Sequence, residues 1–262
     1  MKPGTIHKYH SNLSRAFQYA VKPRKLIEES PMKDVKRPSI PRYAAKFLKQ
    51  SETIKLFEAI RGHKLELGVI MAAYYGLRRG EIVGLRWESI DFELGTITIE
   101  HTVTVAQVDG RKIVVESDTA KTQSSLRTLP LVPEFRATLL ALKEEQERNR
   151  KLCGKSYNKK EGKYIYVDVM GNRIRPDYLT AEFPKWMEKN GFRRLRFHDL
   201  RHSCASLLLA NGVPLKQIQD WLGHSSFKIT ADAYAHLEYE SKIAAANAMT
   251  WVKETSMAQN IP

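Results

Sequence analysis

Apolar residues recur along this chain at two spacings, every third or fourth position over most of its length and every second position over one short stretch. That combination predicts an α+β fold, mainly helical, with one small antiparallel sheet. Residues 5–21 place Ile6, Tyr9, Leu13, Phe17 and Ala20 on one helical face, and "SPMKDV" after them reads as a short Pro-containing helix. "KRPSIPRYAAKF" has two prolines, four cations and no periodicity, so it reads as a linker and sets a domain boundary near residue 43, between 1–43 and 44–262. Beyond it, Ser51 looks like the N-cap of a helix over "ETIKLFEAI", and residues 66–75 form a second, strongly apolar helix. "GTITIEHTV", "RKIVVES" and "LRTLPL" alternate or are β-branched and predict a three-stranded antiparallel meander between Thr96 and Leu131. Pro133 opens a long charged helix ending near Arg150. A Lys/Gly-rich loop and the short strand "YIYV" follow, then helices over 177–189, 198–210, 215–222 and from Thr230 onward.

Charge narrows the class of partner. Lys and Arg outnumber Asp and Glu by 43 to 29, a net charge of +14, and the first fifty residues hold twelve of those cations against three carboxylates. Such an excess points to a polyanion, with the N-terminal segment the first candidate for phosphate contacts. Cys153 and Cys204 are too few and too far apart for a disulfide framework or a four-ligand zinc site, which suits a reducing cytoplasm. No apolar run reaches the roughly 18 residues of a membrane span, and no signal-peptide core follows the basic start.

The densest chemistry lies in "FHDLRHS", residues 197–203, and it has three readings. His198 and His202 are four apart and share a helix face, as metal ligands can, but Arg201 puts a permanent cation on that face and no further ligand cluster accompanies them. "SLLLANGVPLKQIQDWLGHSS" has the helix, Gly/Pro turn and second helix of a DNA-reading helix-turn-helix. The third reading starts from phosphodiester cleavage. The charge that gathers on the non-bridging oxygens needs a metal or forked arginine donors, together with a nucleophile and a proton donor for the leaving oxygen. Without a carboxylate cluster to hold Mg²⁺, this chain would have to use its own cations.

Four stretches carry a family resemblance: "GLRRGEIVGLRWESIDFE" (76–93), "AKTQSSLRTLPL" (120–131), "HDLRHSCASLLLANG" (198–212) and "WLGHSSFKITADAYAHL" (221–237). In this order and spacing they resemble the motif boxes of the tyrosine recombinases, the phage-integrase family, and the likeness runs from about residue 3 to 250. The resemblance implies the family's catalytic fold, preceded by a helical fragment of a DNA-binding domain over 1–43. It also implies the roles. Arg78 and Arg201 would clamp the phosphate, Lys121 on a hairpin would protonate the leaving 5′ oxygen, and His198 would handle a proton. His224 would bond a non-bridging oxygen, and Tyr234, ten residues beyond it, would be the nucleophile. Arg79, beside Arg78, then belongs to the surface or the DNA backbone, His202 to the fold, and Asp199 to a local cap or pair.

By the same resemblance the protein is a site-specific recombinase of a phage or mobile element. It would act on double-stranded DNA through a 3′-phosphotyrosyl intermediate, with neither cofactor nor metal, as a tetramer assembled on DNA. The segment "ESKIAAANAMTWV" has an apolar stripe, Ile243, Ala246 and Met249, that either docks on a neighbouring subunit or packs on its own core. The family's central DNA-binding domain normally has about four helices. Here the chain starts at what resembles the last of them, so it reads as a truncated form or gene remnant, and Ala120 stands where proline is frequent. A type IB topoisomerase, which shares the Arg, Lys, His and Tyr chemistry, and a non-catalytic helix-turn-helix protein are the alternatives.

Overall fold

The computed structural model describes residues 1–39, 46–118 and 126–224. The chain divides into two compact units, Met1–Ala44 and Ala45–Pro262. In the first, helix α1 (Pro3–Val21) opens with Pro at its first position, where the missing N–H costs no helical bond. The chain returns over its buried His10. Arg37 Nε donates to His10 Nδ1 at 3.2 Å, which leaves Nε2 to carry the proton and donate to the Val35 carbonyl at 3.0 Å. "SPMKDV" forms turns and not a helix: the Met32 amide is taken by Ser30 Oγ and the Val35 carbonyl by His10.

The second unit is built around α3 (Glu66–Ala73), in which every residue from Leu67 to Ala73 is buried. Helix α2 (Gln50–Ile60) precedes it, with its N-cap at Lys49 and not Ser51, because the Glu52 carboxylate reaches back to the Lys49 amide at 2.7 Å. Helix α4 (Arg79–Gly84) and a 3-10 turn, Trp87–Ser89, lead into the sheet. Strand β1 (Ile90–Asp91) pairs antiparallel with β2 (Thr96–Ile99), which pairs in turn with β5 (Arg127–Pro130). Between β2 and β5 the chain leaves as a separate hairpin of β3 (His101–Val108) and β4 (Arg111–Asp118). The three-stranded sheet therefore exists but is not the expected meander. "GTITIEHTV" divides at Glu100, and β5 returns to β2 instead of pairing with β4. Burial gives the reason. Ile97, Ile99, Arg127 and Leu129 all face inward, whereas β4 is exposed almost throughout and offers β5 no core to join.

Helix α5 (Pro133–Cys153) buries only Phe135 and Leu139, near its start. "YIYV" bends at Ile165 and Tyr166 between two isolated bridges and is not a ladder strand. Ile165 donates to the Leu85 carbonyl and the Tyr166 carbonyl accepts from Ile174, so its bonds go to separate neighbours. Helices α6 (Pro176–Lys189), α7 (Asp199–Ala210) and α8 (Leu215–Leu222) complete the described chain, with α7 packed along α3. The helix expected from Thr230 onward lies outside the described residues. Among those described, no helix is long and apolar enough to cross a membrane.

Candidate active site

"GLRRGE" encodes a sharp exit from α3. Gly76 takes a left-handed φ of +66°, and a Cβ there would come within 2.3 Å of Leu222 Cδ2, so both the turn and the approach of α8 require glycine. Arg78 follows in extended conformation as the N-cap of α4, and its backbone amide donates to Glu81 Oε2 at 2.9 Å, the reciprocal half of a capping box. Glu81 also receives Arg78 Nη1 at 2.7 Å, although its side chain is only 2% exposed. Arg79 turns away and donates to Thr180 Oγ1, as expected of a surface residue.

"HDLRH" forms the first turn of α7. Asp199, buried, accepts from the Arg196 amide and guanidinium, a local pairing. His198 precedes the helix and meets the His202 ring edge to face at 5.1 Å. Arg201, 3% exposed, points through the core: Nη1 donates to the Gly76 carbonyl at 2.6 Å and Nη2 to the Leu222 carbonyl at 2.7 Å.

These groups meet at the end of α8. Gly223 takes a left-handed conformation, and the Gly223 and His224 amides bond back to Asp220 and Gln219, closing the helix as a Schellman turn. Helix ends leave carbonyls without intrahelical partners and carry partial negative charge. Here three arginines supply the donors: Arg127 Nε to the Trp221 carbonyl at 2.9 Å, Arg201 Nη2 to that of Leu222, and Arg78 Nη2 to that of Gly223 at 2.9 Å. Arg78, Arg201 and His224 are thus gathered around three consecutive peptide groups, with His198 three residues from Arg201. Lys121 and Tyr234 lie outside the described residues.

The electrostatics follow from that crowding. Burial pushes the Glu81 carboxyl up, but Arg127, Arg78 and Arg201 outweigh it and hold the group at about 2. Burial, with Arg201 and Arg78 close by, lowers His224 to about 3. Burial, with His202 and Arg201, lowers His198 to about 4, so both imidazoles are neutral at pH 7. Cys204, behind Arg201, is pushed up to about 12 by burial and stays a thiol. Among the described residues, Arg78, Arg127 and Arg201 crowd the Glu81 carboxylate, and the neutral imidazoles of His198, beside Asp199, and His224 feel the Arg201 charge, with donors directed at acceptor oxygens. Among the same residues no group of three or more His, Cys, Asp or Glu gathers as metal ligands.

Two participants escaped the sequence reading, Glu81 and Arg127. Both carried a signal: Glu81 stands directly before the apolar pair Ile82 and Val83, and Arg127 is in phase with Leu129 on the buried side of its strand.

A model of the phage integrase family matches residues 46–241. The chain is 35% identical over 192 residues to a tyrosine recombinase XerC-like protein of Caldanaerobacter subterraneus, covering 71% of this chain and 49% of that protein. It is 28% identical over 235 residues to the ICEBs1 integrase of Bacillus subtilis, covering 89% and 61%. The chain therefore spans about half to three-fifths of the length of these curated relatives. Among solved structures, the Tn1549 transposon integrase in complex with a circular intermediate DNA superposes with a TM-score of 0.73 at 20% identity, over 95% of this chain and 80% of that one. The XerA recombinase superposes with a TM-score of 0.56 at 21% identity, over 100% and 85%.

Proposed function

Because the chain belongs to the phage integrase family, we propose that it is a site-specific DNA recombinase of a phage or integrative mobile element, with residues 44–262 as its catalytic domain and 1–43 as the end of a DNA-binding domain. The observation that carries this reading is the convergence of Arg78, Arg201 and His224 on the α8 terminus beside neutral His198. Two guanidiniums and an imidazole there can bind the non-bridging oxygens of one phosphodiester, where they stabilise the charge that grows during displacement.

In the proposed reaction the Tyr234 phenol oxygen attacks phosphorus while His198, unprotonated, receives the phenol proton. The P–O5′ bond breaks, and Lys121 gives its proton to the departing 5′ oxygen. DNA is left joined to Tyr234 through its 3′ phosphate, and the 5′ hydroxyl of a partner strand reverses the step. One phosphate ester is exchanged for another, so bond energy is kept in the covalent intermediate and no nucleotide triphosphate is consumed. Double-stranded DNA at attachment sites is the proposed partner. Self-association through the C-terminal segment into a tetramer on DNA, and a cytoplasmic location, belong to the same proposal.

The test is to incubate the chain with nicked suicide duplexes tiled across the DNA flanking its own coding sequence. A covalent protein–DNA adduct should form and disappear in Tyr234→Phe. Binding without an adduct on every duplex overturns the reading, and relaxation of any supercoiled plasmid without site preference favours a topoisomerase.

A further inference from the structure

We infer that Arg127 is a positioning residue of this site: it touches none of the phosphate-binding groups, but it locks the carboxylate that orients Arg78 to the helix end that carries His224. The inference rests on the proposed function and concerns how the site is set in place before DNA arrives.

Arg127 stands at the start of β5 opposite Ile99, on the inward face, with its side chain 7% exposed. All three of its guanidinium nitrogens are engaged. Nη2 donates to Glu81 Oε2 at 2.8 Å and Nη1 to Glu81 Oε1 at 3.3 Å, while Nε donates to the Trp221 carbonyl at 2.9 Å. Glu81 in turn holds the Arg78 amide on Oε2 and Arg78 Nη1 on Oε1. Arg78 Nη2, the donor left over from that carboxylate, lies on the Gly223 carbonyl, two residues from the one Arg127 holds. A closed circuit results: Arg127 to Glu81, Glu81 to Arg78, Arg78 to Gly223, and along the chain through Leu222 to Trp221 and back to Arg127.

The circuit joins three elements far apart in sequence: Glu81 is 46 residues from Arg127, and Trp221 is 94. Its chemistry requires a guanidinium. A lysine ammonium can neutralise Glu81, but it lacks the planar fork that grips both carboxylate oxygens while a third nitrogen reaches the carbonyl. Without Arg127 the Glu81 carboxylate keeps Arg78 as its hydrogen-bonding cation, with Arg201 nearby, and can swing toward it. The Trp221 carbonyl loses its donor. The two clamp elements, α4 with Arg78 and α8 with His224, then lose one of the ties that fix their spacing, keeping the Arg78 bond to Gly223 and the Arg201 bridge between the Gly76 and Leu222 carbonyls. An arginine displaced by about 1 Å from the phosphate oxygens costs on the order of 100-fold in rate.

The experiment measures single-turnover adduct formation and site affinity on the tiled duplex that reacts with the wild-type chain, from pH 5 to 8. Arg127→Ala should form adduct about 10- to 100-fold more slowly, with affinity within about threefold of wild type. It should also gain an acid limb, because burial then lifts Glu81 against only Arg78 and Arg201. Arg127→Lys should recover part of the rate, losing about 3- to 10-fold, and keep the wild-type pH profile. Folding of each variant is followed by thermal melting. If Arg127→Ala does not fold, Arg127→Lys alone decides: a slowed adduct with unchanged affinity supports the inference, and an unchanged rate overturns it. A folded Arg127→Ala at wild-type rate overturns it as well. So does an Arg127→Ala whose affinity falls as much as its rate with no change of pH profile, since that is a purely structural defect. Failure of the wild-type chain itself to form adduct refutes the proposed function instead, so the two failures are distinguishable.

Discussion

Two arginine-rich clusters lie in the second unit, and they differ in what receives their donors. At the end of α8, Arg78 and Arg127 bond the Glu81 carboxylate, with Arg201 close by, and all three donate to backbone carbonyls. At the foot of the β3–β4 hairpin, Arg86 and Arg173 meet four carboxylates, Glu88, Asp118, Glu116 and Glu161, with both guanidiniums over the ring of Tyr164, Arg173 at 4.3 Å. The second cluster has more carboxylates than arginines, so its positive charge is cancelled, and it joins the hairpin to the body. In the first, neutral carbonyls satisfy donor geometry without cancelling charge, so positive potential is preserved in a desolvated place where an anion gains most from it. A count of arginines, three against two, hardly distinguishes the clusters, and their acceptors separate them.

The largest effect that should separate the two clusters is on chemistry. Arg201→Ala removes a buried clamp donor and should lower adduct formation about 100- to 1000-fold, whereas Arg173→Ala should leave it within about threefold, both read by single-turnover capture on the reactive duplex. Equal losses would erase the distinction. Stabilisation by anions should show the same selectivity: inorganic phosphate should raise the melting temperature of the wild-type chain and of Arg173→Ala, and do so much less for Arg78→Ala, since ligand stabilisation requires the binding donors. A shift of equal size in all three would assign phosphate binding elsewhere.

The smallest effect is on pH. His198 and His224 titrate lower in the fold, at about 4 and 3, than their ordinary value of 6.5. The unfolded chain then binds more protons below 6.5, and their contribution to stability, full above that pH, is lost progressively as pH falls toward 4. Glu81, at about 2 against its ordinary 4.5, adds a loss that begins only below about 4.5. Denaturant melts between pH 7.5 and 5 should show the histidine part, and His224→Asn should flatten it. Bound DNA should also flatten it, because a phosphate beside these imidazoles favours their charged form.

Much of this was legible in the sequence. Helical periodicity located α1, α3, α6, α7 and α8 to within a few residues, since burial against any core produces the same spacing. The ordered boxes pointed to the phage integrase family, and four of the six residues they singled out, Arg78, His198, Arg201 and His224, come together in the fold. Local reading failed where a competing hydrogen-bond partner, near or remote, took the backbone groups. "SPMKDV" has the composition of a helix start, yet its backbone groups are taken up by Ser30 and by His10 from α1. Ser51 is a good cap residue, yet Glu52 selected Lys49.

What the sequence by itself determined, then, was the kind of chemistry: residue types in a fixed order, which chain connectivity preserves whatever the fold does with them. Only the tertiary structure decided the pairing of β5 with β2, the partners of Arg127, and the convergence of three guanidiniums on three successive carbonyls at the end of α8. The physical reason is range. Periodicity reports that a side chain is buried but not what it is buried against, and the Arg78 bond to Gly223 crosses 145 residues. Folding aligns those two groups, and no local pattern in the sequence encodes their distance.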